Sequence, residues 1–280
     1  MKDLILQVKD DILGQIKRDE MVLPTLPEIA LKIREVAEDE NTDVDHLAKV
    51  ISSDPAISTR LLKVANSPLF RASESVTDLE RAISRLGINK TANMVVGLAM
   101  QQMFQATNEH TDFLMRQCWS RSTDIASTSA VLARHFTKIH PEQAMLAGLM
   151  HQVGVLPLIT YAENNDHLLQ SRMVLSAVIE KLHPALGGFV MRAWGFSDDL
   201  VRVPREYLKF DRAPEQTDLT DIVQVATLQY HAGTEHRLGK IDRSKVDAYK
   251  RLGLNIEDSA DLARLDELAE DTHNAQQALQ

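Results

Sequence analysis

The run Met145-Leu-Ala-Gly-Leu-Met-His151-Gln152-Val-Gly154-Val-Leu156 decides how this 280-residue chain is read. It is apolar at almost every position, without the alternation a half-exposed strand would show. It continues to Ala162, broken by His151, Gln152 and Pro157, so burial in a helical core explains it better than a membrane span. A polar pair inside such a segment must find partners or serve a site. A carboxylate after His151 would be a charged oxygen ligand for a hard or borderline cation. The carboxamide of Gln152 is neutral and anchors a cation poorly. Whether the chain is an enzyme turns on that pair.

Working outward, nearly every segment reads as helix, which makes the fold class all-α. Leu4, Val8, Ile12 and Ile16 recur at a spacing of four. Leu23-Pro-Thr25-Leu-Pro27-Glu28 breaks and restarts the chain, with Thr25 and Glu28 placed as a capping box. Asp54-Pro55 repeats the logic, Asp54 as N-cap and Pro55 at the first helical position. Thr77 with Glu80 reads as a third box, closed by Gly87, and Asn89 as the next cap. The polar cluster Ala106-Thr-Asn-Glu-His-Thr111 marks a lobe boundary. A long helix then runs from about Asp112 to Phe136. After the His151 helix, further helices are expected at Arg172 to Leu182, Pro184 to Trp194, after Ser197, and at Asp218 to His231. The domain division is 1–108, 109–254 and an acidic C-terminal helix or tail at 255–280, with Leu262, Leu265 and Leu268 on one face.

Composition narrows the function. Hydrophobic residues make up 44% and charged residues 25%, as in a soluble globular protein, and 5% aromatics leave an aliphatic core. The single cysteine, Cys118, excludes an intrachain disulfide and fits a reducing compartment. The N-terminus mixes charges into its apolar residues and lacks a secretory core, so a cytoplasmic location and no membrane partner are expected. Of the net charge of −9, residues 255–280 supply −6. With no basic stripe, nucleic-acid binding is disfavoured. No nucleophile elbow, P-loop or dinucleotide fingerprint is present.

Three stretches together resemble the HDOD family, the HD-related output domain of bacterial signalling proteins. They are Leu23-Pro-Thr-Leu-Pro-Glu-Ile-Ala, Val50-Ile-Ser-Ser-Asp54-Pro55 through Arg60 to Asn66-Ser67-Pro68, and Leu79-Glu-Arg-Ala-Ile-Ser-Arg-Leu-Gly87-Ile. The resemblance continues through Cys118-Trp119, the His151 segment, His183-Pro-Ala-Leu-Gly187 and Trp194, from about Met21 to Lys209. It implies two helical lobes, an N-terminal bundle and a C-terminal HD-like domain, and a regulatory role.

The resemblance also implies where an HD-type phosphohydrolase would hold its metal: an earlier His, the His-Asp pair and a distant Asp. Here Arg121 stands at the earlier position, Gln152 at the paired Asp, and Thr227 near the distant one; His151 alone is kept. A guanidinium keeps its proton and repels a cation. No catalytic residue, metal ligand or cofactor is therefore assigned. His135, His140, His151 and His183 are candidates for a replacement set, but the spacing of His135 and His140 does not put them squarely on one helix face. The remnant pocket is expected to comprise Arg121, His151, Gln152 and His183, with Arg121 drawing an anion such as phosphate, unless it turns outward to Asp124. Asp54, Arg60, Asn66 and Ser67 are candidates for an inter-lobe contact, although capping accounts for Asp54 and a helix stop with left-handed Asn66 accounts for Asn66 and Ser67.

The expected function is a non-catalytic signalling module. Its partners would be proteins of a signalling pathway or a small phosphorylated ligand, with a homodimer also compatible. Without an attached receiver, kinase or cyclase it would signal through a separate partner. The alternative is an HD-type metal-dependent phosphohydrolase acting on nucleotides or phosphodiesters with an altered ligand set.

Overall fold

The computed structural model describes the chain except residues 1, 19, 21, 22, 71–73, 107 and 280, and the side chains at 2–4, 17, 166, 167, 262 and 266. Helices account for 72% of residues, and no strand occurs among the described residues. The first lobe holds α1 (Lys2–Lys17), α2 (Glu28–Glu38), α3 (Val44–Ser52), α4 (Pro55–Ala65), α5 (Leu79–Leu86) and α6 (Ile88–Ala99). The second holds α7 (Glu109–Phe136), α8 (Pro141–Met150), α9 (Val155–Glu163), α10 (Asp166–Leu169), α11 (Arg172–Ala193), α12 (Asp198–Glu206), α13 (Leu219–Tyr230) and α14 (Asp247–Arg251). The chain then continues through α15 (Ser259–Glu267) and α16 (Ala269–Leu279).

Local chemistry sets most boundaries. Asp54 accepts the amides of Ala56 and Ile57 ahead of Pro55, and Asp218 and Asp221 form a reciprocal capping box at α13. Other expected caps are corrected. Pro27, not Thr25, precedes α2 with no side-chain bond. Asp78 rather than Thr77 caps α5, its carboxylate accepting the Arg81 amide. Gly87, at φ 91°, makes the turn into α6, leaving Asn89 inside the helix. Ser197 precedes α12 but makes no side-chain cap bond.

The largest correction concerns His183. The break expected at Pro184 does not occur, and α11 runs unbroken through it. Proline removes one amide and crowds the preceding turn. Here the His183 Nδ1–H donates to the Ile179 carbonyl at 2.7 Å, adding a side-chain bond where the backbone ladder is interrupted.

Glycines set the close approaches that build the site. A Cβ on Gly148 would lie 2.4 Å from Ala126 Cα, so α8 rests directly on α7. A Cβ on Gly154 would lie 2.0 Å from the His183 carbonyl oxygen and 2.4 Å from the Gly187 amide, so the α8–α9 turn touches the α11 backbone. The Pro141–Glu163 and Arg172–Ala193 segments are apolar and long enough to cross a membrane, but 83% of the first lies inside the protein, against 44% of the second.

One continuous apolar cluster runs from Val8 and Ile12 through Met94, Met150 and Met191 to Leu279, joining both lobes. A second, around Ile125, Tyr207, Ile222 and Tyr249, lies under α12, α13 and α14. A buried ion network pins the segment before α13: Arg212 bonds Glu206, Asp218 and Asp221, and Arg251 bonds Asp221 with two nitrogens at 2.8 Å. The lobes are tied by polar bonds as well. Arg34 donates to the carbonyls of Trp194 and Gly195, Trp194 Nε1 to that of Pro24, and Arg134 to those of Pro68 and Leu69.

The acidic C-terminal segment is two helices rather than a tail. Ala275, Ala278 and Leu279 of α16 are buried against α7 and α4, and Gln276 bonds Asp124. Charge dominates the segment, but three small apolar residues decide where α16 docks. Leu265 packs against the second apolar cluster, whereas the Leu262 side chain lies outside the described residues.

Candidate functional site

The α7 face that carries Leu114, Cys118, Arg121 and Ile125 opens onto a cavity of about 230 Å³. Residues spaced three and four apart share a helix face, which is why one helix supplies this whole wall. The α8–α9 turn supplies His151 and Gln152, α11 supplies Ile179, Glu180 and His183, and α12 leads into Tyr207. Thr227, His231, His236 and Arg237 close the far side. His151 does not stand within a helix; it ends α8 as its C-cap.

A directional hydrogen-bond chain lines the cavity. Arg121 Nε donates to Gln152 Oε1 at 2.9 Å, which places the Gln152 amide nitrogen toward Tyr207 at 3.4 Å. Tyr207 Oη lies 2.6 Å from His183 Nε2. Because His183 Nδ1 already donates to a carbonyl, its Nε2 is the acceptor and Tyr207 the donor. The Cys118 thiol, also buried, lies 3.4 Å from Gln152 Oε1. Tyr207, His183 and Cys118 are buried while Arg121 and Gln152 are partly exposed, and such a chain stands or falls as a unit.

His151 differs from His183 in one respect. Its Nδ1 lies 2.6 Å from the Gly148 carbonyl, so that nitrogen carries the hydrogen and Nε2 is a bare acceptor. The ring is fully buried, edge-on to Tyr207 at 4.9 Å, and no group among the described residues reaches Nε2. Thr227 Oγ1, also buried on the cavity wall, likewise has no partner.

The electrostatics follow from this geometry. Burial pushes His151 down to about 3, helped by Arg121, His183 and His231 and opposed by the Gly148 bond. Burial, then Arg121, take His183 down to about 4. His231, stacked on His236 at 4.0 Å, falls to about 4 through burial and the charges of His236, Arg121 and Arg237. Burial pushes the Cys118 thiol up. These imidazoles are neutral at pH 7, and the positive charge resides on Arg121 and Arg237. Arg237 pairs with Glu180 at the exposed rim. Arg121 has no carboxylate partner among the described residues; Asp124 turns away to Gln276.

Of the expected site residues, the fold brings Arg121, His151, Gln152 and His183 to one cavity and adds Thr227. His135 pairs with Asp271 on another face, and His140 precedes α8. Asp54, Arg60, Asn66 and Ser67 do not reach the cavity. Asp54 caps α4, and Asn66 exchanges two bonds with the Val76 backbone. Asn66 sits at φ −95°, not in the left-handed region, because its side chain already clamps the turn. Ser67 is buried beside it, and Arg60 donates to the carbonyls of Leu98 and Leu279. The inter-lobe bonds come instead from Arg34, Trp194 and Arg134. Sequence reasoning missed Tyr207, His231, His236 and Arg237, which lie on three segments with no shared motif.

The residues do not fit a divalent metal. No group of three or more His, Cys, Asp or Glu among the described residues has ligand geometry. The cavity places a guanidinium where a carboxylate or imidazole would be needed.

Comparison with known proteins places the chain. The HDOD domain model matches residues 23–208. The chain belongs to the HDOD family. An uncharacterized protein of Treponema pallidum (strain Nichols) is 24% identical over 208 residues, covering 69% of this chain and 39% of that protein. The chain thus spans about two fifths of the length of this curated relative. A candidate metal-dependent phosphohydrolase from Shewanella amazonensis SB2B shares the fold at a TM-score of 0.88, with 24% identity and 99% of each chain covered. An HDOD domain protein of unknown function from Geobacter sulfurreducens aligns at 0.64, with 18% identity, covering 92% of this chain and 94% of that one. A candidate signal transduction protein from Marinobacter aquaeolei VT8 aligns at 0.62, with 21% identity, covering 98% of this HDOD chain and 66% of its own.

Proposed function

We propose that this HDOD protein is a non-catalytic signalling module that binds a small phosphorylated ligand in the His151 cavity and reports occupancy to a protein partner. The observation that carries this is the Arg121 guanidinium seated on the Gln152 amide, with no carboxylate partner among the described residues, at the place where an HD phosphohydrolase would hold its cation. A half-buried cation with free N–H donors favours phosphate oxygens, with which it forms charge-assisted hydrogen bonds. Neutral histidines around it add polarity without repelling an anion. The cavity touches α7, the longest helix, which also packs against α8, α13 and α16. Filling it would shift a helix that packs on the rest of its own lobe and on α16 of the acidic C-terminal segment.

The relatives described as phosphohydrolase and signal transduction protein support the HD ancestry and the regulatory class, respectively. The charge pattern favours a cytoplasmic protein working without nucleic acid or membrane.

Elemental analysis of purified protein and turnover of a generic phosphodiester with added Mn²⁺ or Mg²⁺ test this reading. The expected outcome is substoichiometric metal and no turnover above the buffer rate. One equivalent of metal per chain, with hydrolysis abolished in His151→Ala, would overturn it.

A further inference from the structure

We propose that the cavity reads a hydrogen as well as a charge: it takes an oxyanion that keeps a P–OH group, hydrogen phosphate or a phosphate monoester monoanion, in preference to one with no hydrogen, such as sulfate. This rests on the cavity being an anion site and names the protonation state of the anion that fills it.

Two groups define the selectivity. Arg121 spends Nε on Gln152 and keeps its two terminal nitrogens for a ligand. His151 presents an acceptor, since its Nδ1–H is fixed on the Gly148 carbonyl. Moving the hydrogen to Nε2 would turn Nδ1 into an acceptor facing the Gly148 carbonyl oxygen at 2.6 Å, lone pair against lone pair. No neighbour supplies the missing hydrogen either. The Tyr207 hydroxyl is committed to His183, the Cys118 thiol faces Gln152, and Thr227 Oγ1 lies out of bonding range of the ring. The ring is fully buried on the wall of the same cavity as Arg121, so its vacant lone pair is an unmet demand for a donor.

The ligand's oxygens and the imidazole nitrogen are both acceptors, so a bare oxyanion meets a lone pair with a lone pair. A P–OH turns that repulsion into a bond, while the remaining oxygens face Arg121. Sulfate carries no hydrogen near neutral pH. It could bind only by leaving Nε2 unsatisfied or by forcing a proton onto a ring whose burial resists charge. Glu180, the acid among the described lining residues, is engaged by Arg237 at the rim. It leaves Arg121 free as the cation facing the ligand.

The size of the effect follows from chemistry. A site that holds a committed polar group discriminates strongly against an analogue that cannot pair with it. A preference for phosphate over sulfate of about tenfold or more is expected.

Isothermal titration calorimetry of the full chain at pH 6.5 with inorganic phosphate, and separately with sulfate, tests the proposal. The wild type is expected to bind phosphate at least about tenfold more tightly than sulfate. In His151→Gln, whose amide can both donate and accept, the ratio is expected to fall toward one with phosphate binding retained. In Arg121→Gln both anions are expected to be lost. Equal affinity for the two anions in the wild type would overturn the hydrogen-reading role while leaving the anion site intact. Binding of neither would overturn the anion site itself. The wild-type ratio needs no variant, so a misfolded His151→Gln would not shield the proposal.

Discussion

Acidification from pH 7.5 to 5.0 is expected to cost this protein a large part of its stability before its carboxylates titrate. His151 is fully buried and held down to about 3, and His183 is 3% exposed and held down to about 4. The ordinary value for both is 6.5. Between 6.5 and these lowered values the unfolded chain binds a proton at each site and the native chain does not, so stability falls as pH falls. The contribution is intact above 6.5 and is lost progressively down to about 4 and 3. Each group changes stability by about 1.4 kcal/mol per pH unit in that window. At pH 5.0 the loss is about 2 kcal/mol per histidine and about 4 kcal/mol for the pair. Domains of this kind carry about 5–15 kcal/mol in total, so the shift is readily measured. Urea unfolding followed by far-ultraviolet circular dichroism at pH 7.5, 6.5 and 5.0 reads it. His151→Gln is expected to lower stability at pH 7.5 yet to reduce the fall to pH 5.0 by about 2 kcal/mol, since one titrating ring is gone. A wild-type fall under about 1 kcal/mol, or an unchanged slope in the variant, would refute the argument that these rings are forced neutral.

Three further outcomes are expected. Gly154→Ala would drive its Cβ into the His183 carbonyl and the Gly187 amide, backbone atoms that cannot yield, and should destabilise by about 3 kcal/mol or more in thermal melts; a change under about 1 kcal/mol would show that the turn has room. Asp221→Asn would strip the carboxylate, wholly buried, that serves both Arg212 and Arg251 and should cost about 3–5 kcal/mol in urea unfolding, a loss that a near-neutral variant would contradict. Gln152→Asp restores the HD pair in sequence but not the metal: the new carboxylate should pair with Arg121, and elemental analysis after Mn²⁺ or Zn²⁺ loading should remain substoichiometric, whereas one bound equivalent would show that Arg121 can vacate the site.

The sequence alone settled the helical class and the family, because these depend on local signals. Apolar runs of helical period and the Asp54-Pro55 cap act within a few residues of themselves. It misjudged His183-Pro184, where proline's usual break is overridden by packing against Gly154 and by the His183 ring bond within α11. Charge likewise concealed the docking of α16, which rests on three small buried residues. Tertiary structure alone decided that Arg121 turns inward while Asp124 goes to Gln276, that Tyr207 completes a proton-donor chain, and that His231, His236 and Arg237 close the wall. The segments that carry them, around 121, 207 and 231–237, stand far apart along the chain, and no periodicity links them. Which lone pair is left bare depends on the bonds its neighbours have already made, and that is a property of the folded cavity rather than of any stretch of chain.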